Sequence, residues 1–387
     1  MFQRLLKPLS HHSFFLFGAR GTGKSTFLRN YLADEKKLLW IDLLDFEQEQ
    51  HYQRYPQDLK KQILADPKAY KWVVIDEIQR APKLLDVVHQ LVESSKICFA
   101  LTGSSARKLK RGSANMLAGR AFLNTLYPFT FVELGEKFNL QKTLSWGTLP
   151  KVLSLASDEA KTEFLKSYTH TFLKEEIKAE QIVRNLEPFG AFLEIAAQAN
   201  GEIVNCYNIA KDVGVSSHTI QSYFQILEDT LMGYFLPAHH QSVRKQQRQS
   251  PKFYFFDLGI VRALQGVLDQ KVKPKTYGFG RYFESLVLLE LIRLNSYYRK
   301  DFRFSYLRTK DNAEIDLIVH KPGRPITLIE IKSSEHVDER DVHTLENFRE
   351  DFGPKTKTYV LSLDPTAKKI GSTRALFWQE GIQEILK

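Results

Sequence analysis

Over about the first 130 residues, short apolar runs alternate with segments whose apolar positions recur at helical spacing. The runs are His12–Phe17, Leu38–Leu44, Trp72–Ile75, Ile97–Thr102 and Ala121–Tyr127. Strand-length runs separated by amphipathic segments predict a parallel sheet with helices on both faces. From about Lys151 to Leu236 the pattern becomes helical, with Phe164, Tyr168 and Phe172, then Ile220, Tyr223, Phe224 and Leu227, at three- and four-residue steps. A long helix-like segment, Arg281–Asn295, leads into four further strand-like runs, Phe302–Arg308, Glu314–Val319, Ile326–Ile331 and Thr358–Leu363, and a terminal helix. The expectation is a multidomain α/β chain with a second α/β unit at its C-terminal end.

Composition narrows the class. The chain has 387 residues, 43% of them hydrophobic, so each domain can bury a core. No apolar stretch is long enough to span a membrane, and the N-terminal residues lack a secretory h-region. Two cysteines, Cys98 and Cys206, exclude a disulfide framework and fit a reducing cytosol. The net charge of +10 favours a polyanionic partner. Two acid-free basic stretches concentrate it: Arg107 to Arg120, and Gln241 to Lys252 with Arg244, Lys245, Arg248 and Lys252.

Gly18-Ala-Arg-Gly-Thr-Gly-Lys24-Ser25 matches G-x-x-x-x-G-K-[ST], between a strand and a helix. Glycines at Gly18, Gly21 and Gly23 let backbone N–H groups, with Thr22 and Thr26, wrap phosphates. Lys24 reaches the β- and γ-phosphates, and the Ser25 hydroxyl ligates Mg²⁺. The buried run Trp72–Ile75 ends in Asp76 and Glu77. Asp76 completes the Mg²⁺ shell and Glu77 activates the attacking water. The run Lys96–Leu101 ends in Thr102-Gly-Ser104, where Ser104, or alternatively Thr102, reaches the γ-phosphate or the water. Arg120 is expected either to complete a neighbouring subunit's ATP site or to contact DNA or solvent.

GARGTGKST, WVVIDEIQRAP, LTGSSARKL and LAGRA, in that order, resemble the AAA+-type P-loop ATPases of bacteria and archaea that carry a C-terminal domain of unknown function. Val183-Arg-Asn-Leu-Glu-Pro-Phe189 and Lys252-Phe-Tyr-Phe-Phe-Asp-Leu-Gly259 are similar to the same group. The resemblance spans the whole chain and implies ATP and Mg²⁺ as cofactors and a homo-oligomer.

Asn208–Val213 reads as a short helix, Gly214 as a turn, and Ser216 or Ser217 as the cap of a second helix through Leu227. Ile209, Ala210, Val213, Val215, Ile220 and Leu227 are expected inside. Ser217, His218, Thr219, Gln221 and Ser222 are left exposed at the end that reads a groove. Gly233–Leu236 and Phe253–Phe256 read as a hairpin whose tip is the basic run Arg244–Lys252. Together they predict a winged helix. It either packs on neighbouring domains or, as the acid-free wing favours, contacts DNA phosphates with little sequence preference.

Near the C-terminal end, Asp316 and Glu330 lie seven residues either side of Gly323 in Lys321-Pro-Gly-Arg-Pro325. A hairpin centred there makes them cross-strand partners with Cβ atoms about 5 Å apart. Lys332, two residues on, points to the same face. Two carboxylates with an amine suit Mg²⁺ or Mn²⁺ and metal-assisted hydrolysis. Asp316…Glu330-x-Lys332 resembles the PD-(D/E)XK nucleases. Glu284 matches the helical glutamate of the subgroup like archaeal Holliday-junction resolvases, which implies a further, water-mediated ligand. By the same spacing Glu314 pairs with Lys332 as a salt bridge. The alternative is a degenerate nuclease fold kept for DNA binding.

The expected architecture is an AAA+ P-loop core over residues 1–135, a helical lid or linker over 136–190, a winged helix over 191–265 and a restriction-endonuclease-like domain over 266–387. The expected function is a cytoplasmic, ATP-dependent DNA-processing enzyme with metal-dependent endonuclease activity on branched or structured DNA. The alternative is a nucleotide-switched scaffold ATPase whose tail binds DNA or protein.

Overall fold

The structure, a computed structural model, describes residues 2–104, 119–172, 186–240 and 250–387. Arg107, Lys108, Lys110 and Arg111 of the first basic stretch, Val183–Asn185, and Arg244, Lys245 and Arg248 lie outside the described residues. The chain divides into two compact units. One comprises Met1–Phe129, Leu149–Lys151 and Gln225–Met232; the other comprises Thr130–Thr148, Val152–Phe224 and Gly233–Lys387.

The five expected N-terminal runs form strands β1 (Phe14–Phe17), β2 (Leu38–Asp42), β3 (Trp72–Asp76), β4 (Cys98–Gly103) and β5 (Phe122–Thr125). They make one sheet in the order β2-β3-β4-β1-β5, every pair parallel. β1 and β3 are buried along their whole length, as their unbroken apolar runs require. The helix Leu84–Ser94 buries Leu84, Leu85, Val87, Val88 and Leu91 on one stripe. These join Phe15, Phe17, Val73, Ile75, Phe99 and Leu101 in the core. Truncating the fully buried Leu101 to alanine would cost about 2–5 kcal/mol. Because β4 lies between β1 and β3, the carboxyl ends of all three meet at one edge, where parallel α/β sheets take their ligands.

In the second unit, the helix Cys206–Val213 is capped by Asn205 and ends at Gly214, whose φ of 76° suits glycine. Ser216 caps the following helix, Ser217–Asp229, by accepting from Thr219 N at 3.1 Å. Ile209, Ala210, Ile220 and Leu227 are buried, whereas Val213 and Val215 are half-buried. Strands β6 (Gly233–Leu236) and β7 (Lys252–Phe255) pair antiparallel as a two-stranded sheet. Lys252 therefore belongs to a strand, not to an exposed basic tip. It is 4% exposed, because carboxylates recruit it inward.

The C-terminal sheet has six strands in the order β12-β13-β11-β10-β9-β8. They are β8 (Arg303–Arg308), β9 (Glu314–His320), β10 (Thr327–Lys332), β11 (Lys357–Ser362), β12 (Lys368–Ile370) and β13 (Thr373–Phe377). The sequence reading did not anticipate β12 and β13. β12 has three residues, two of them lysine, and it leans on a neighbour for its pairing. The helix Tyr277–Tyr297 is capped by Thr276, which accepts from Phe279 N at 3.2 Å, and it packs on β10. The helix Glu339–Arg349 packs on β10 and β11 and adds Val342 and Leu345 to a core with Ile315, Ile318, Leu328 and Val360. Among the described residues, no helix is long and apolar enough to cross a membrane.

Candidate functional site

The loop after β1 is shaped by its glycines. A Cβ on Gly18 would lie 2.4 Å from Leu126 O, so the chain can pass there without a side chain alone. Gly21 and Gly23 take φ of 80° and 90°, turning the chain into the helix Lys24–Tyr31. Thr22 Oγ1 donates to Ala19 O at 2.8 Å and tightens the turn. Lys24 is buried at the helix start. Its Nζ donates to Gly18 O at 2.9 Å and lies 3.7 Å from Glu77 Oε1. Ser25, expected on the metal, hydrogen-bonds Asp76.

The two carboxylates at the end of β3 have opposite environments. Burial raises the Asp76 carboxyl above its ordinary value, against the hydroxyls of Ser25 and Thr102 that donate to it. Glu77 is pushed up by burial too. Lys24, the Gln79 amide, the Ser104 N–H and Arg20 outweigh this and hold its carboxyl below the usual range. Glu77 thus stays a carboxylate at neutral pH, as a water-activating base must. Its φ of 60° is a sparsely populated conformation for a side-chain-bearing residue. Thr102 is fully engaged: its hydroxyl donates to Asp76 and accepts from Glu77 N at 2.9 Å. Ser104 Oγ accepts from Gln79 Nε2 at 3.1 Å.

Gln79 was missed in the sequence. Its Nε2 bridges Glu77 and Ser104, and its buried Oε1 has no partner among the described residues. The signal was present in Ile75-Asp-Glu-Ile-Gln79, two residues past the base. Arg120 pairs with Glu93 and precedes β5, at the amino edge of the sheet, opposite the phosphate loop. It does not reach its own chain's phosphate loop. Of the residues expected to read a groove, His218 is exposed, Ser217 and Thr219 are half-buried, and Thr219 Oγ1 is 2.9 Å from Ser216 Oγ.

The second cluster lies in the C-terminal unit. β9 and β10 pair as Val319–Thr327, Ile318–Leu328 and Leu317–Ile329, each pair equidistant from Gly323, whose φ is 78°. The ladder ends there, one residue short of Asp316 and Glu330, and Asp316 Oδ2 accepts from Ile331 N at 2.8 Å. Lys332 Nζ donates to Glu330 Oε1 at 2.7 Å, while Glu330 Oε2 is buried without a partner among the described residues. Burial first, then mutual repulsion with Glu330 and Glu284, raises the Asp316 carboxyl well above its ordinary range. Burial also raises Glu330, against the pull of Lys332.

Two expectations differ here. Glu314 does not pair with Lys332. It faces Arg308 across the β8–β9 ladder, and Lys252 Nζ lies 2.5 Å from its Oε1. Glu284, expected as a water-mediated metal ligand, accepts from Tyr254 Oη at 2.8 Å and has Lys252 Nζ at 3.5 Å. Among the described residues, no group of three or more His, Cys, Asp or Glu side chains could hold a metal ion. Lys252, expected in the basic tip that contacts DNA phosphates, is instead buried against these carboxylates, and Tyr254 is expected only as part of a motif, without a role.

Three family models match the chain: an AAA domain over residues 10–135, a domain of unknown function (DUF8612) over 137–271, and a domain of unknown function (DUF4143) over 279–378. An uncharacterized protein of Mycobacterium tuberculosis is 28% identical over 258 residues, 65% of this chain and 57% of its own length. The match thus spans little more than half of that relative. Uncharacterized proteins of Haemophilus influenzae and Methanocaldococcus jannaschii are 24% and 23% identical, over 86% and 87% of this chain and 86% and 78% of theirs. The AAA match, the parallel five-stranded sheet and the phosphate loop together support an AAA-type ATPase domain fused to a domain of unknown function.

Proposed function

We propose that this chain is an ATP-driven DNA-processing enzyme whose C-terminal unit cuts phosphodiester bonds. The ATPase half is supported by the loop geometry. Lys24 and the loop N–H groups would hold the β- and γ-phosphates, and Ser25 and Asp76 would hold the Mg²⁺ that neutralises developing charge. Glu77 takes the proton of the attacking water, Gln79 orients that carboxylate, and Ser104 donates to the water or the γ-phosphate. Arg120 completes a neighbouring subunit's site in a homo-oligomer.

The observation that carries the nuclease half is the unpartnered, buried Glu330 Oε2 beside Asp316 and Lys332. Four carboxylates, Glu284, Glu314, Asp316 and Glu330, meet three cations, Lys252, Lys332 and, at the edge beside Glu314, Arg308, so the acids still outnumber the cations. Hard oxygen donors short of a cation fit Mg²⁺ or Mn²⁺, with Asp316 and Glu330 as the ligands. Such an ion would polarise the phosphoryl oxygen and make a bound water more acidic. Lys332 orients that water or offsets charge on the scissile phosphate. The helix pair, with Ser217, His218 and Thr219 at its leading end, is read as part of a winged helix that grips DNA backbone, with Arg244, Lys245 and Arg248 of the sequence between β6 and β7 as phosphate contacts. Incubation of the protein with labelled duplex, single-stranded and branched DNA in Mn²⁺, with and without ATP, tests this reading. Cleavage of at least one form is expected. No cleavage alongside normal ATP hydrolysis would overturn it. A second reading, a nucleotide-switched scaffold with a non-cutting tail, is favoured by the missing three-acid group among the described residues.

A further inference from the structure

β7 carries an ammonium group into the acidic cluster from outside the C-terminal sheet. Lys252 is held there by backbone, pairing with Leu236 of β6 and bridging to Ile203. Its side chain is 5% exposed, with Nζ 2.5 Å from Glu314 Oε1, 3.5 Å from Glu284 Oε1 and 5.4 Å from the centre of the Tyr306 ring. Removing an ammonium from water costs several kcal/mol unless carboxylates surround it. Here they do, and the result divides the four acids into two pairs. Glu284 and Glu314 face Lys252, and Glu314 also has Arg308 Nε at 3.8 Å. Asp316 and Glu330 keep a backbone N–H, one lysine and one carboxylate oxygen with no partner among the described residues. Glu330 is itself 8% exposed, so that oxygen has no bulk water to turn to.

We propose that Lys252 is a fixed second cation of this centre: its ammonium neutralises Glu284 and Glu314 and so restricts the centre to one divalent ion, on Asp316 and Glu330. The proposal rests on the metal-binding reading above. In two-metal hydrolytic sites the ions sit about 3.5–4 Å apart and share acidic ligands. An ammonium among those acids supplies a single charge without demanding a coordination shell. It also arrives on the strand that follows Arg244, Lys245 and Arg248 in the sequence, so the segment read as gripping DNA is covalently continuous with the group that sets the charge of the centre.

Mn²⁺ binding to the full chain without nucleotide, measured by equilibrium dialysis together with thermal unfolding, tests this. The ions at the centre are those lost in Asp316→Asn. The wild type is expected to bind one. Lys252→Met is expected to bind two, to unfold at lower temperature without Mn²⁺, and to regain about twice the Mn²⁺-induced Tm rise of the wild type, since each further ion bound to the folded state adds stability. Lys252→Arg should behave as the wild type. In Lys252→Met/Glu284→Gln/Glu314→Gln the second ion should be lost. One ion in both the wild type and Lys252→Met would overturn the proposal and leave the metal reading standing. No ion lost in Asp316→Asn would overturn the metal reading itself. Folding of Lys252→Met in Mn²⁺ but not without it would support the proposal. Failure to fold even with Mn²⁺ would mean that the freed acids hold no ion, and would overturn it.

Discussion

The phosphate loop and the C-terminal carboxylate cluster are both acidic sites with a lysine, yet they differ in how their charge is balanced. In the loop, Lys24 faces Glu77, while Asp76 is held by the hydroxyls of Ser25 and Thr102. The site is built largely from backbone and short contacts, and each carboxylate has partners. In the cluster, four acids from the helix Tyr277–Tyr297, β9 and β10 meet two lysines from β7 and β10 and Arg308 of β8, and one carboxylate oxygen has no partner among the described residues. The first site is organised before its ligand arrives. The second gathers more acids than cations, and burial with mutual repulsion raises the carboxyls of Asp316 and Glu330.

Disabling the balanced site should have the largest effect. Lys24→Ala is expected to lose nucleotide binding. Glu77→Gln should keep binding and slow hydrolysis by about 10²–10⁴-fold, the usual contribution of a general base. Phosphate release and nucleotide-fluorescence titrations measure the two. A Glu77→Gln variant that hydrolyses ATP at the wild-type rate would remove Glu77 from that role.

Relieving the charge excess should do the reverse for stability. Glu330→Gln keeps an acceptor for Lys332 and removes the repulsion with Asp316. Without divalent ions at neutral pH it should be more stable than the wild type, by about 1 kcal/mol, a rise of a few degrees in Tm. A clear loss of stability would mean that the cluster is already balanced.

Charge outside both sites should matter next. Neutralising Arg244, Lys245 and Arg248 together should weaken binding to every DNA sequence and lower the salt slope by roughly one unit per lost phosphate contact. An unchanged slope in fluorescence-anisotropy titrations would assign the hairpin to a protein contact.

A buried group with no part in the proposed chemistry serves as a control. Glu290 is fully buried, accepts from Phe131 N at 3.2 Å, and is pushed up from 4.5 to about 8 by burial, against the pull of Arg293. The folded chain therefore keeps a proton that the unfolded chain releases. This group's contribution to stability falls as pH rises from about 4.5 and is lost above about 8. Glu290→Gln should flatten that fall in Tm. An unchanged Tm-against-pH profile would show that Glu290 stays ionised in the fold.

The contrast also explains what was legible in the sequence. The five N-terminal strands and the loop are contiguous patterns, so periodicity and spacing were enough. The β9–β10 register followed from the turn at Gly323, whose flanking residues pair symmetrically. Glu284 and Lys252 reach the cluster from a helix and from a strand of another sheet, and no spacing encodes their meeting. A basic run reads as exposed, and nothing local to Lys252 shows that Glu314 and Glu284 bury it. β12 and β13 were missed because three residues with two lysines carry no strand period, and β13 takes its place by pairing parallel to β11.

The central claim is that one chain houses two separate hydrolytic chemistries. The most direct test follows ATP hydrolysis and DNA cleavage side by side in Mn²⁺ for the wild type, Glu77→Gln and Asp316→Asn. Asp316→Asn is expected to hydrolyse ATP at close to the wild-type rate and to cut no DNA, whereas Glu77→Gln should lose ATP hydrolysis with its carboxylate cluster intact. DNA cleavage at the wild-type level by Asp316→Asn, or loss of ATP hydrolysis in that variant, would contradict the account.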